Sequence, residues 1–199
     1  MLNGVNLYLI GMMGVGKTTI GQILAQQLGY QFIDTDEFIE QATGQSISTI
    51  FAESGEAVFR QLETATLAEV AARTNKVIAT GGGIVLKREN WSFLRHGVII
   101  WLDVPLDVLQ KRLRHDSTRP LLHQENIEEK LTNLLAERQS LYAQADIRIA
   151  VAPDHDVSQV TARILTAIAE ECDKKRQSDE QTKHLNLEVP FQVYSPDNN

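Results

Sequence analysis

The sequence predicts an α/β protein of three layers, α/β/α, with helices covering both faces of a central parallel sheet of five strands. Three observations carry that expectation. Short apolar runs of strand length alternate along the chain with helical apolar patterns, the order that builds a parallel sheet. The first run, Asn6-Leu7-Tyr8-Leu9-Ile10, leads into a glycine-rich turn and then an amphipathic segment. A chain of 199 residues, 43% hydrophobic and 23% charged, suits one soluble globular domain with a sizeable core.

Taken in order, the 6–10 run is short and mostly apolar, as a strand buried on both faces must be. The turn after it, Gly11-Met12-Met13-Gly14-Val15-Gly16-Lys17-Thr18, fits G-x-x-x-x-G-K-[ST], a phosphate-binding loop. Its glycines reach backbone angles closed to other residues, so successive N–H groups can surround phosphate oxygens at the positive end of the following helix. Lys17 is expected to reach the β- and γ-phosphates, and the Thr18 hydroxyl to ligate Mg²⁺. Gly14, Val15, Gly16 and Thr19 complete the predicted nucleotide contacts. In the next helix Ile20, Ile23, Leu24 and Leu28 share a face, and Gly29 is its expected C-cap.

The second strand, Phe32-Ile33, ends in Asp34-Thr35-Asp36. Two carboxylates one residue apart can serve different ligands, one a metal and the other the phosphoryl acceptor. The competing reading is that Asp36 or Thr35 caps a helix beginning at Glu37. Ligands of open α/β sheets lie beyond the carboxyl ends of the strands, which favours the functional reading. Helices are expected over 37–42, 48–53 and 56–72. At the start of the last stands Gly55-Glu56-x-x-Phe59-Arg60-x-x-Glu63, Gly55 just ahead of the helix, with Arg60 and Glu63 on one face. Such a pair is commonly a weak surface ion pair, but an arginine oriented by a carboxylate also suits bidentate capture of a substrate carboxylate.

The third strand, Val77-Ile78-Ala79, is followed by Thr80-Gly81-Gly82-Gly83, where many phosphate-loop enzymes carry an acidic metal residue. Three glycines instead let a ligand press against backbone N–H groups. A helix over 88–94, a strand over 98–102 and a helix over 106–113 come next. The polar stretch His115-Asp116-Ser117-Thr118-Arg119-Pro120-Leu121 has the character of a lid, and its one arginine suits neutralising a transferring phosphoryl group. A helix over 127–142 contains Glu137-Arg138-x-x-Leu141-Tyr142 near its end, with Leu134, Leu135 and Leu141 toward the core. A strand over 147–151 precedes a helix over 157–171 whose stripe is Val157, Val160, Ile164, Leu165 and Ile168.

From Asp173 the composition turns polar without an apolar face, and the reading is a tail, 173–199, that is disordered or docked on the surface. Within it Leu185, Leu187, Val189, Phe191 and Val193 alternate like a strand, interrupted by Pro190. A net charge of -7 argues against nonspecific nucleic-acid binding and requires a local cluster of cations for any anionic ligand. The only cysteine, Cys172, cannot close an intramolecular disulfide, and no leader-like or membrane-length apolar segment is evident; a cytoplasmic location is expected, with no membrane partner. His96, His115, His123, His155 and His184 lack zinc-type spacing and read as solvated.

In order along about 7–151, these motifs make the chain resemble shikimate kinase, of the nucleoside-monophosphate-kinase-like group with the P-loop NTPase fold. The resemblance rests on the phosphate loop, the Asp34/Asp36 pair, Gly-Glu-x-x-Phe-Arg-x-x-Glu, the 81–83 triplet, and Arg119-Pro120-Leu121 followed by Glu137-Arg138-x-x-Leu141-Tyr142. It implies transfer of the γ-phosphoryl of ATP to the 3-hydroxyl of shikimate, on the route to chorismate and aromatic amino acids. By the same resemblance, Asp36 would hold the reacting hydroxyl and Asp34 would act on Mg²⁺ through water. Arg60 and Arg138 would grip the shikimate carboxylate, Glu63 would orient Arg60, and Gly82, between Gly81 and Gly83, would offer its N–H to a ring hydroxyl. Lys17 and Arg119 would stabilise transition-state charge, and Arg112 would pack on adenine. A domain over 1–172 with a lid around 113–124, acting as a monomer on ATP and shikimate, is what the family implies. Thr18 stands where the family usually has serine, and 152–156, expected near adenine, matches no family residue individually. The alternatives are another small-molecule kinase, such as one for gluconate, which should lack the two gripping arginines, or a non-catalytic relative, which should have lost Lys17, Asp36 or an arginine.

Overall fold

A computed structural model describes Leu2, residues 4–113 and residues 127–187, the side chains of 127 and 175–187 excepted. The strands are β1 (Leu7–Ile10), β2 (Gln31–Asp34), β3 (Lys76–Ala79), β4 (Val98–Asp103) and β5 (Ile147–Ala150). They form one parallel sheet in the order β2-β3-β1-β4-β5. β1 therefore lies in the middle, with Leu9 opposite Ala79 on one side and Ile100 on the other. Every residue of β1 and of β3 is buried, as strands covered on both faces must be. At the edge, β5 alternates: Ile147 and Ile149 are buried while Arg148 and Ala150 face outward.

Helix α1 (Lys17–Leu28) packs on β2 and β3 and against α7 (Val157–Leu187), which also covers β5. It stops where Gly29 adopts the left-handed conformation and Tyr30 N–H returns to the Ala25 carbonyl at 2.9 Å. Helices α3 (Ile47–Ala71) and α4 (Arg88–Leu94) pack together and complete the three layers. Leu67 and Val70 of α3 and Trp91 and Leu94 of α4 join the main core. Gly55, at φ 80° and ψ 170°, breaks α3 between the two helices expected there.

A second, smaller cluster of Ile39, Ile50 and Phe59 lies between α2 (Thr35–Thr43) and α3. Glu40 accepts from Ile47 N–H at 2.8 Å, and Ser46 caps α3 through Thr49 N–H, so the α2–α3 pair forms a braced wall beside the sheet's carboxyl end. A short 3₁₀ turn (Ile84–Leu86), absent from the sequence reading, follows the glycine triplet. Helices α5 (Leu106–Leu113) and α6 (Ile127–Tyr142) pack on each other. Arg119 and nearly all of the expected lid lie outside the described residues.

Two expectations need correction. Val157 is exposed, so the apolar stripe of α7 begins at Val160, with Ile164 and Ile168 behind it. The helix does not end near 171 but continues to Leu187, so Leu185 and Leu187 belong to helical backbone; 188–199 lie outside the described residues. No helix among the described residues is long and apolar enough to cross a membrane.

Candidate active site

The donor loop is made of backbone. Gly16, with φ 98°, is the N-cap of α1, no side chain caps that end, and no acid stands in its first turn. No side chain competes at that end of α1, where the helix dipole favours an anion. Lys17 Nζ donates to the carbonyls of Gly11 and Met12, each at 2.8 Å, and folds the loop around itself. Arg112 from α5 donates to the carbonyls of Gly14 and Val15 at 3.3 and 3.4 Å, while the Leu113 side chain packs against Gly14. The segment leading toward the expected lid is therefore tied to the phosphate loop. Val15 is buried, Thr18 half-buried and Thr19 exposed.

Beside the loop opens a cavity of about 370 Å³, lined by Thr18, Asp34, Asp36, Arg60, Glu63, the 81–83 triplet and Arg138, with Phe51 and Phe59 as an aromatic wall. Thr18 Oγ1 donates to Asp34 Oδ2 at 2.7 Å, bringing the two expected metal-side oxygens together. Asp34 Oδ1 accepts from Asp36 N–H at 3.0 Å and is the N-cap of α2. Neither Asp36 nor Thr35 caps this helix, contrary to the sequence-based alternative. Asp36 instead stands in the first turn of α2 with its carboxylate toward Gly81. Buried Thr35 accepts from Gly81 N–H at 3.0 Å.

The arginine–glutamate pair is buried rather than a surface bridge. Glu63 is fully enclosed; its Oε2 accepts from Arg60 Nη1 at 2.8 Å, and its Oε1 has no hydrogen-bond partner among the described residues. Glu56 holds the outer side of the same guanidinium through Nε and Nη2 at 3.2 and 3.0 Å. Burial pushes the Glu63 carboxyl above its ordinary value, opposed by Arg60 and reinforced by the like charge of Asp36. Burial opposes the charge on Arg60, and the two glutamates more than offset it. A Cβ on Gly83 would collide with the Arg60 guanidinium, so the third glycine leaves space that only hydrogen can share.

Arg138, from α6, is only 4% exposed although its sequence context suited a surface arginine. Glu137 lies 3.8 Å from its Nε, which has no hydrogen-bond partner among the described residues, and buried Glu63 feels its charge. Gly82 lies between Arg138 and the phosphate loop: a Cβ there would sit 3.5 Å from Met13 N and 3.8 Å from Arg138 Nη1. Two buried guanidiniums and a glycine-lined backbone thus face one cavity that also holds Asp36, an arrangement suited to a small polyhydroxylated carboxylate.

Glu56 and Tyr142 had no assigned role in the sequence reading, although both stand inside the quoted motifs, each four residues from a gripping arginine. His155, read as solvated, accepts at Nδ1 from Ala152 N–H at 3.0 Å and pins the 152–156 loop. Arg112 reaches loop carbonyls in this structure, an arrangement not foreseen from its family position.

A family model described as "Shikimate kinase" matches residues 13–169. A shikimate kinase of Nostoc sp. (strain PCC 7120) is 56% identical over 168 residues, covering 84% of this chain and 93% of its own length. Among solved structures, a shikimate kinase from Acinetobacter baumannii in complex with shikimate superposes with a TM-score of 0.80 at 40% identity, covering 83% of this chain and 93% of that one. A gluconokinase from Sinorhizobium meliloti, at a TM-score of 0.56, 16% identity and coverage of 89% and 99%, shares the fold alone.

Proposed function

The chain belongs to the shikimate kinase family, and we propose which of its residues carry each part of that family's reaction. It is an ATP-dependent kinase that moves the γ-phosphoryl of ATP to the 3-hydroxyl of shikimate, giving shikimate 3-phosphate and ADP. The observation that carries the assignment of roles is the sharing of one cavity by buried Arg60, buried Arg138 and Asp36, directly beside Thr18 of the phosphate loop.

Arg60 and Arg138 grip the shikimate carboxylate. Glu63 and Glu56 orient Arg60, and the unmatched Nε of Arg138 supplies a donor already desolvated for the task. Gly82 N–H, which has no acceptor among the described residues, takes a ring hydroxyl. Asp36 accepts the hydrogen bond of the reacting hydroxyl and then its proton as the new P–O bond forms and the bond to the ADP oxygen breaks. Lys17, the N–H groups at the start of α1 and Arg119 hold the phosphates and spread the developing charge. Arg112 steadies the loop and borders the nucleotide.

Thr18 and Asp34 suit Mg²⁺: two hard oxygens stand 2.7 Å apart, and no cluster of three His, Cys, Asp or Glu among the described residues would cage a metal. Magnesium keeps much of its water and binds through few protein oxygens plus phosphates, which matches that pair. Held by Thr18 and Asp34, the ion would supply neutralisation of phosphate charge. The same reading has the enzyme act in the cytoplasm as a monomer. A coupled ADP-release assay with shikimate, with gluconate and without acceptor tests the assignment. Turnover is expected with shikimate alone; comparable kcat/KM with gluconate would overturn it.

A further inference from the structure

Tyr142, the last residue of α6, is completely buried, and its hydroxyl meets three parts of the site at once. It donates to the Gly82 carbonyl at 2.6 Å, touches Met12 Sδ of the phosphate loop at 3.8 Å, and feels the charge of nearby Arg138. The bond to Gly82 is short and partly buried, and the ring behind it is fixed by stacking on Trp101, with centroids 6.0 Å apart. A trans peptide is planar, so fixing the Gly82 carbonyl also fixes the plane that carries the Gly83 N–H. The neighbouring carbonyls are held separately, Gly81 by Ile84 N–H at 3.2 Å and Gly83 by Leu86 N–H at 3.0 Å. Among the described residues, only Gly82 of the three has its carbonyl held by a distant side chain. Glycine has no side chain to hold its torsions, so a peptide between two glycines would otherwise turn freely.

We infer that Tyr142 is a positioning residue for the acceptor: Ile84 holds the Gly81 carbonyl and with it the plane of the Gly82 N–H, and the Tyr142 hydroxyl, beside Arg138, holds the Gly82 carbonyl, so that both peptide planes of the glycine that receives shikimate are set. The inference rests on the acceptor assignment of Gly82 and Arg138 given above. Burial pushes the Tyr142 hydroxyl up to about 12, against the pull of Arg138, so it remains a donor throughout the neutral range. A purely structural tyrosine would be replaced by phenylalanine at a cost in stability alone, since the ring and its stacking survive.

The test is Tyr142→Phe in the full chain, with KM for shikimate and for ATP measured separately, beside Arg138→Lys. The expected result is a rise of about tenfold in shikimate KM with little change in ATP KM. Tyr142→p-aminophenylalanine, which restores an N–H donor at the same ring position, should recover most of the shikimate affinity and also serves if the phenylalanine variant folds poorly. Unchanged shikimate KM in Tyr142→Phe, or an equal rise for both substrates, overturns the role of Tyr142. If Arg138→Lys also leaves shikimate KM unchanged, the acceptor assignment itself fails; if only Arg138→Lys raises it, Tyr142 alone is excluded.

Discussion

The two halves of the cleft are held by different means. The donor half is one continuous stretch, 11–18, organised by backbone: Lys17 bonds two of its own loop carbonyls, and Gly16 opens the N-terminus of α1. The acceptor half gathers Asp36 from α2, Arg60 and Glu63 from α3, the triplet after β3 and Arg138 from α6, and relies on buried side-chain charge. A backbone cradle accepts any chain carrying the right tail of phosphates. A set of charges drawn from three helices and set against a glycine loop instead fits one acceptor and loses that fit one residue at a time. Substitutions in the acceptor half should therefore spare the nucleotide.

Asp36→Asn should separate the halves most sharply. It is expected to lower kcat by about 10²–10⁴-fold, the range of general-base effects, while calorimetry shows ATP binding nearly intact. Full activity in this variant would remove Asp36 from the reaction.

Next in size are two substitutions that act on one guanidinium. Arg60→Ala deletes a charge-assisted contact, so shikimate KM should rise about 10–100-fold while ATP KM changes little. Gly83→Ala should push the same arginine aside and give a smaller rise of the same kind, because its Cβ needs the guanidinium's space. Equal losses for the two substrates in either variant would break the division between the halves.

A third effect appears in stability rather than rate. With the Glu63 carboxyl raised by burial, the folded chain binds a proton more tightly than the unfolded chain does. The stabilisation from that proton is complete below the ordinary carboxylate value of 4.5 and is lost as pH rises through the raised folded value. Thermal melts of Glu63→Gln across pH should therefore fall less steeply above that point than those of the parent. Parallel curves would show that Glu63 keeps its ordinary titration in the fold.

The smallest effect is expected from truncation after Cys172. The segment of α7 that reaches the core runs from Val160 to Cys172 and is kept in this variant, so kcat and both KM values should persist. A large rise in shikimate KM would bring the C-terminal extension into the acceptor half.

Much of the scaffold was legible because its signals are local. Five apolar runs marked five strands, and Gly29 and Gly55 marked a helix end and a helix break, positions where φ turns positive. The continuation of α7 beyond 171 was not legible. That stretch has no apolar face, yet Lys, Arg, Gln and Glu propagate a helix already anchored upstream. The Arg60–Glu63 spacing showed a shared helical face without showing that the face turns inward, and the same holds for Arg138. Asp34 as the cap of α2 was missed because the helix starts two residues earlier than its apolar pattern.

By itself the sequence determined the donor: eight consecutive residues between a strand and a helix specify a phosphate loop, since a backbone cradle needs only local conformation. It also carried the order of acceptor motifs through which the family was recognised. Only the tertiary structure decided that Glu63 is enclosed, that Glu56 shares Arg60, that Gly83 yields space to that arginine, and that Tyr142 reaches the Gly82 carbonyl across 60 positions of chain. Burial and the pairing of charges depend on which faces of distant elements meet, and no local pattern encodes that meeting.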